Sequence, residues 1–403
     1  MSFLNRVFER RAISYQDVWG KDLEWEGPTA ASGVRVNPRK SLQLVSVWAC
    51  VRLIAETIAS LPTDAFVRDG NVRRPFRPRP VWMYNPNPEQ TAFSFWEQVL
   101  TSLLLYGNAY VHIVRDRDFS VLELWVLHPD NVLPKRDGSN GRLIYHCRDD
   151  AGRESLLKPG EQIMHIPGFS LPGSLVGLNP IDHARQAIGL GLGTEEFGGR
   201  WFGQGSTPSV VLEAQKKLDD TGAKRLAESW NQAHQGLKRS HMPAVLEGGI
   251  SAKPLTIPND QAQFLETRGF QVAEIARFFR VPPHMIGDTE RSTSWGTGIE
   301  QQGIGFVVYC LRTWIERVEQ AATVLFPPES RAFMKFNVDA LLRGDTKSRY
   351  EAYQIAVNTG WKNVDEVRAL EDDPPLPNGK GQIYRQPLNM GPLGDPQPGK
   401  GST

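Results

Sequence analysis

An α+β fold follows from three features of this sequence. Apolar residues recur every three or four positions in two early stretches, then alternate singly along several short stretches divided by turn signals. The helical period returns for most of the remaining chain. Helices first and an antiparallel meander second segregate the two element types, which is the α+β arrangement.

Leu44, Val47, Trp48, Val51, Ile54, Ala55 and Ile58 make one apolar face, with Ser41 placed to cap its start and Pro62 to stop it, so residues 41–61 are expected as an amphipathic helix. After a proline-rich passage, a helix over 90–106 would turn Phe93, Trp96, Leu100, Leu103 and Leu104 inward and end at Gly107. The alternation of 110–115, the turn at 116–118 and the partner stretch 121–127 read as a hairpin. Further short strands follow, ending near 164–167.

Residues 180–202 are helical in pattern although they contain Gly189, Gly191, Gly193, Gly198 and Gly199. Each interior glycine disfavours a helix by about 0.8–1 kcal/mol relative to alanine, so this helix requires close tertiary or intersubunit packing. A small α/β insert is expected next, with strands 209–213, 244–246 and 250–257 and a helix over 219–235. A helix over 260–280 is halted by Val281-Pro282-Pro283 and followed by a polar loop, 288–298.

The longest amphipathic pattern is Ile304, Val307, Val308, Leu311, Trp314, Ile315, Val318, Ala321, Ala322 and Leu325; one helix over 299–326 would extend roughly 40 Å. Two short helices, 346–358 and 364–371, come next, the second with Asn363 and Glu366 in capping-box positions. The proline- and glycine-rich end, 374–403, is expected to be a flexible tail.

At 403 residues the chain can bury the cores of two or three domains without disulfides or a structural metal. Its three cysteines, Cys50, Cys147 and Cys310, lie far apart with no C-x-x-C pair, the pattern of free buried thiols in a reducing compartment. No signal-peptide core follows the charged N-terminus, and no segment approaches the roughly 18 apolar residues that a membrane span needs. The net charge of +1 disfavours a protein whose main task is tight nucleic-acid binding.

Motifs for chemistry are broken or missing. Residues 394–401 miss the phosphate-loop pattern because Gly401 stands where Ser or Thr is needed, two prolines interrupt them, and no strand and helix frame them. The glycines at 189, 191 and 193 lack the third small residue of a dinucleotide fingerprint, since Thr194 and Glu196 occupy its places. The eight histidines form no H-x-x-x-H pair, and His146-Cys147 reads as strand alternation with its two side chains on opposite faces. No catalytic residue, metal ligand or cofactor site is assigned, and the chain is expected not to be an enzyme.

Three stretches together resemble the HK97-like family of tailed-phage portal proteins, over most of the chain from about 46 to 375. They are Ser46-Val47-Trp48-Ala49-Cys50-Val51 with Leu105-Tyr106-Gly107-Asn108-Ala109-Tyr110, then 275–287 with 292–302, and finally Phe336-Asn337-Val338-Asp339-Ala340-Leu341-Leu342-Arg343-Gly344-Asp345 with Asn358-Thr359-Gly360-Trp361. Asp373 departs from the family, whose members are usually apolar there.

The resemblance implies a portal fold assembled as a ring, usually of twelve subunits, at one capsid vertex. Carried onto this chain it gives an N-terminal arm, 1–40, an α/β wing, 41–179, and a first stem helix, 180–204. A small α/β clip, 205–258, a second stem helix, 259–287, and a tunnel loop, 288–298, come next. A long wing helix, 299–332, a short helical crown, 333–373, and a tail, 374–403, complete the chain.

Such a ring is the conduit for packaging and ejection of double-stranded DNA. Its partners are other copies of itself, DNA in the channel, the terminase motor, the major capsid protein and the head–tail adaptor, with no membrane. It would be assembled in the bacterial host cytoplasm and reside in the virion. The tunnel loop makes Arg291, Ser292, Thr293, Ser294 and Trp295 the candidate DNA contacts, while Lys238, Arg239 and His241 in the clip are candidates for docking motor and adaptor. Two other readings remain: a component of a prophage or gene-transfer particle, and a cryptic nucleotide hydrolase of the packaging motor.

Overall fold

Between Asn37 and Ser60 the chain makes two helices where the periodicity predicts one. The computed structural model describes residues 28–70, 72–149, 152–204, 210–214, 221–222, 224–225, 228, 250–254, 260–288, 297–338, 346–371 and 373–384. Pro38 opens α1 (Pro38–Ser41), capped by the Asn37 side chain, which accepts from the Lys40 N–H. Ser41 is buried in that turn and donates to the Pro38 carbonyl, so it does not cap α2 (Val45–Ala59), which starts at Leu44 without a side-chain cap. The capped proline turn satisfies its own donors first, which moves the start of the longer helix by one turn. Val47, Cys50, Val51, Ile54, Ala55 and Ile58 are buried on α2, but Trp48, expected inward, is 47% exposed.

Strands β1 (Thr63–Asp69) and β2 (Val72–Pro75) follow, then α3 (Ala92–Tyr106), capped by Thr91 and ended by Gly107 in the left-handed conformation. Phe95, Trp96, Val99, Leu100, Leu103 and Leu104 are its core, whereas Phe93 is exposed. A helical side chain leans toward the N-terminus, and a residue in the first turn therefore leans off the end of the helix.

The meander comprises β3 (Asn108–Arg115), β4 (Val121–Leu127), β5 (Val132–Arg136), β6 (Leu143–Arg148), β7 (Glu154–Leu157) and β8 (Ile163–Pro167). It divides into two antiparallel sheets, ordered β4-β3-β8 and β5-β6-β7. Strand β3 is central and buried on both faces over its first six residues. Tyr110, Val132, Tyr145, Cys147, Leu157 and Ile163 form one apolar cluster spanning the two sheets.

The glycine-rich stretch splits into α4 (Pro180–His183) and α5 (Arg185–Gln204). A Cβ on Gly189 would lie 2.4 Å from that of Ala30, and one on Gly191 would lie 2.9 Å from Leu44, so two of the glycines admit other segments of the same chain. Tertiary packing thus offsets their cost. Strands β9 (Val210–Ala214) and β10 (Ile250–Pro254) pair antiparallel. The helix expected between them and strand 244–246 fall largely outside the described residues.

Helix α6 (Asp260–Phe279) ends before the two prolines as expected. The expected 299–326 helix is instead α7 (Thr297–Phe306), a π turn (Val307–Leu311), α8 (Arg312–Ala321) and a 3₁₀ turn (Ala322–Leu325). The π turn inserts extra winding and rotates the buried face relative to a straight 3.6-residue pattern. Phe306, Val307, Cys310 and Leu311 are buried there, while Ile304 and Val308, both expected inward, are exposed.

Strand β11 (Ala332–Phe336) completes a third three-stranded sheet, ordered β11-β1-β2. The buried carboxylate of Glu319 ties α8 to it, accepting from Lys335 and from the Phe336 N–H at 2.8 Å. Burial pushes this carboxyl above its ordinary range, with the two donors pulling the other way.

The chain divides into two compact units, Met1–Phe336 and Asn337–Thr403. The second holds α9 (Thr346–Asn358) and α10 (Val364–Leu370), with both bonds of the expected Asn363/Glu366 capping box present. Asp373, the departure from the family pattern, is exposed and 3.8 Å from Arg368, a contact an apolar residue could not make. Of the expected flexible tail, 377–382 form a 3₁₀ turn, and 385–403 lie outside the described residues.

Alanine at Gly189 should destabilise the isolated chain in urea unfolding, because the clash with Ala30 outweighs the gain in helix propensity. At Gly199, where a Cβ meets nothing within 4 Å, alanine should raise stability by up to about 1 kcal/mol.

Candidate DNA-channel and docking segments

Gly107, the expected end of α3, and Asn108 beside it organise the route from the meander to α5. Gly107 has φ +73°, and a Cβ on it would lie 1.9 Å from the Leu178 carbonyl oxygen, so no side chain fits. Its own carbonyl accepts from the Gly168 N–H at 2.8 Å. A Cβ on Gly177 would lie 2.2 Å from that same carbonyl oxygen. Three backbone segments therefore meet where only glycine permits contact.

The buried Asn108 side chain holds them together. Its Nδ2 donates to the Gly177 carbonyl at 2.9 Å, and its Oδ1 accepts from the Gly177 N–H at 2.7 Å, the pattern a neighbouring strand would offer. His165 Nε2 donates to the same Oδ1 at 3.0 Å, which leaves Nδ1 to accept from the Tyr145 hydroxyl at 3.1 Å. These contacts require the neutral ring, and burial holds His165 down to about 4. Arg317 of α8 donates to the carbonyls of Pro167 and Gly168, which ties the long helix to the same place. Asn179 then caps α4 through the N–H groups of Ile181 and Asp182.

The described residues before and after the polar loop are joined to one another. After α6 the chain turns at Arg280, with φ +58°, and the Val281 N–H returns to the Ala276 carbonyl. Pro283–Ile286 form a 3₁₀ turn ended by left-handed Gly287, and the Asp288 N–H donates to the Pro283 carbonyl at 3.1 Å. On the far side, Cys310 in the π turn donates to the Phe279 carbonyl at 3.4 Å, which joins the helix after the loop to the helix before it. Arg291, Ser292, Thr293, Ser294 and Trp295 themselves lie outside the described residues.

The insert is similarly closed at its base, where Val210 pairs with Pro254 and Ala214 with Ile250. Lys238, Arg239 and His241 lie outside the described residues. The sequence offers no local signal for the β9–β10 register, which depends on residues far apart in the chain.

Burial pushes the Cys50 and Cys310 thiols up to about 12 and that of Cys147 to about 11. All three are unbridged and buried, as their spacing predicts. A cleft of about 240 Å³ lies among Leu44, Ala49, Gly191, Gln271, Val272 and Ile286, smaller than the ~300–1,000 Å³ of most small-molecule sites. Among the described residues no group of three or more His, Cys, Asp or Glu is arranged to hold a metal ion.

The described residues combine an α+β body, one helix before and one after the β9–β10 pair, and a further long helical segment after α6. Solved structures share this fold: the neck of an empty gene transfer agent particle matches with a TM-score of 0.64 at 24% identity, over 84% of this chain and 93% of that one. A portal protein of the HK97 family from Corynebacterium diphtheriae matches with a TM-score of 0.55 at 16% identity, over 76% of this chain and 96% of that one.

The chain belongs to the phage portal protein family, whose profile matches residues 46–372. It is 40% identical over 385 residues to the probable portal protein of Streptomyces phage phiC31, covering 92% of this chain and 84% of the relative. Identity to the portal protein of Enterobacteria phage HK97 is 33% over 368 residues, covering 88% and 85%. The family is structural rather than enzymatic.

Replacing Asn108 with alanine leaves a buried N–H and carbonyl of Gly177 without these partners and should cost about 1–3 kcal/mol or more in urea unfolding. A pH effect follows from His165 and from His112, which burial also holds down to about 4. In the unfolded chain both take up a proton near 6.5, so between about pH 6.5 and 4 the unfolded state binds more protons. Stability contributed by the neutral rings should fall as pH drops through that window. Thermal unfolding should show the fall, and His165→Gln should make it shallower.

Proposed function

We propose that this chain forms the closed ring at a capsid vertex through which double-stranded DNA is packaged and ejected. The observation that carries the reading is the order of parts within a portal-family chain: α5 and α6 flank an insert closed at its base, and the helical segment after the next loop is bonded back to the end of α6. On this reading 41–179 form the wing, 180–204 and 259–287 the stem, 205–258 the clip, 288–298 the tunnel loop and 299–332 the long wing helix; the crown, expected from 333, begins instead after Phe336, because 333–336 belong to β11 and pair with β1 of the wing, and it runs to 373. Residues 1–40 are then the arm and 374–403 the tail. Copies meeting through one heterologous contact that closes on itself give cyclic symmetry, and the family resemblance favours twelve.

Arg291 of every subunit would contribute to a circle of cations, offset by Asp288 and Glu290, that guides a phosphate backbone without holding it. Ser292, Thr293 and Ser294 supply neutral hydrogen bonds, and Trp295 anchors the loop by packing. Lys238, Arg239 and His241 face the terminase motor during packaging and the head–tail adaptor afterwards, while the wing meets the major capsid protein. The ring catalyses no reaction itself. Assembly takes place in the host cytoplasm, before incorporation into the virion.

A second reading, a gene-transfer particle component, is consistent with the fold shared with the gene transfer agent neck. The two differ in cargo: sequencing packaged DNA should return one viral genome in the first case and fragments of host DNA in the second.

Native mass spectrometry of the purified chain should give a closed ring; a monomer under every assembly condition would overturn the proposal. Deleting 290–295 should leave the ring intact but impair DNA packaging or retention. Substituting Lys238, Arg239 and His241 together should weaken motor binding without dissolving the ring.

A further inference from the structure

Between residues 68 and 79 the sequence holds five arginines, one aspartate and no lysine, a net +4 in a chain whose formal total is +1. The structure places this stretch on and just after the β1–β2 hairpin, with β2 exposed along its whole length. The antiparallel register sets Arg68 directly opposite Arg73, and Phe66 opposite both Phe333 and Pro75. Alternate residues of a strand share a face, so Phe66, Arg68, Arg73 and Phe333 lie together.

The Arg73 guanidinium is 5.7 Å from the centroid of the Phe66 ring, and that of Arg68 is 5.9 Å from the centroid of Phe333. The two rings are 6.1 Å apart. Arg74 differs, because it pairs with Asp69 at 3.0 Å.

Like charges directly opposite each other in an antiparallel pair cost stability, and here both are exposed guanidinium groups on an aromatic floor. Among the described residues no carboxylate pairs with Arg68 or Arg73. Ring stacking restrains the planar groups and leaves their N–H edges available for bidentate bonds to an anion. Pro75 within β2, with Pro78 and Pro80 beyond, disfavours a peptide strand adding to this edge. A folded protein surface mixes both signs of charge, whereas duplex DNA presents one negative charge per about 1.7 Å of its axis. Closely set arginines whose one interleaved carboxylate, Asp69, is taken up by Arg74 match the second.

We propose that the β1–β2 hairpin is a second DNA-backbone contact, distinct in sequence from the tunnel loop, at which Arg68 and Arg73 engage phosphates of double-stranded DNA and Arg77 adds to the field. A sliding surface must be sparing with cations; this one is concentrated, which suits holding a duplex in place.

The test is fluorescence anisotropy of a duplex of about 30 base pairs with the full chain, titrated at several salt concentrations between about 50 and 200 mM. Neutralising two phosphates contributes roughly 0.9 each to the slope of log K against log salt, so R68Q/R73Q should lower the slope magnitude by nearly 2 and weaken low-salt binding at least about tenfold. R68K/R73K should recover most of the slope, since the charge remains. Equal affinity and slope for wild type and R68Q/R73Q would overturn the proposal. Loss of binding to polyglutamate with duplex binding unchanged would also overturn it, assigning the surface to an acidic protein. The measurement requires no ring, so its outcome is separable from that of the assembly experiment.

Discussion

Gly107, Gly168 and Gly177 let three backbones approach more closely than any side chain would allow, and the Asn108 amide closes the gap with two hydrogen bonds. Much else is arranged around this contact. It ends α3, starts the central strand β3, receives Arg317 from α8 and sets the direction in which the chain leaves for α4 and α5. Its polar groups are buried, so each unmade bond would carry the full desolvation cost; mutual satisfaction makes the geometry specific. His165 and Tyr145 extend the same bonding to the second sheet.

A second constraint joins the segments on either side of the polar loop. Prolines stop α6, left-handed Arg280 and Gly287 redirect the chain, and Cys310 returns from the π turn to the end of α6. Here the π turn has two effects: it rotates the buried face so that Cys310 rather than Val308 is inward, and it brings a weak thiol donor to a carbonyl left over at a helix terminus. The loop then spans two anchors that are already connected.

The charge distribution separates two tasks that the net value conceals. A total of +1 is compatible with a wall that does not retain DNA, while the β1–β2 hairpin concentrates exposed arginine over half-buried phenylalanines. Overall neutrality is thus a sum over unlike regions. Glu319 contributes differently, because its charge is used internally to hold α8 against β11.

Periodicity determined the helical or extended character of the long helices and of the meander, because a 3.6-residue or 2-residue repeat of apolar residues is a local property that burial of one face imposes; it gave no sign of the β11-β1-β2 sheet, whose strands come from opposite ends of the first unit. Capping and breaking residues located the end of α3 at Gly107, the stop of α6 before the prolines and the Asn363 capping box, and cysteine spacing marked the buried thiols. Family membership was also legible, through short motifs in a fixed order. Tertiary structure decided what depends on distant neighbours: that Ser41 belongs to its own turn, that Trp48 and Phe93 face outward, that the long helix is rephased by a π turn, and that Gly189 admits Ala30. It also set Arg68 opposite Arg73 with a phenylalanine beneath each, since strand register and close approach are fixed by contacts between residues far apart in the chain, which no window of sequence contains.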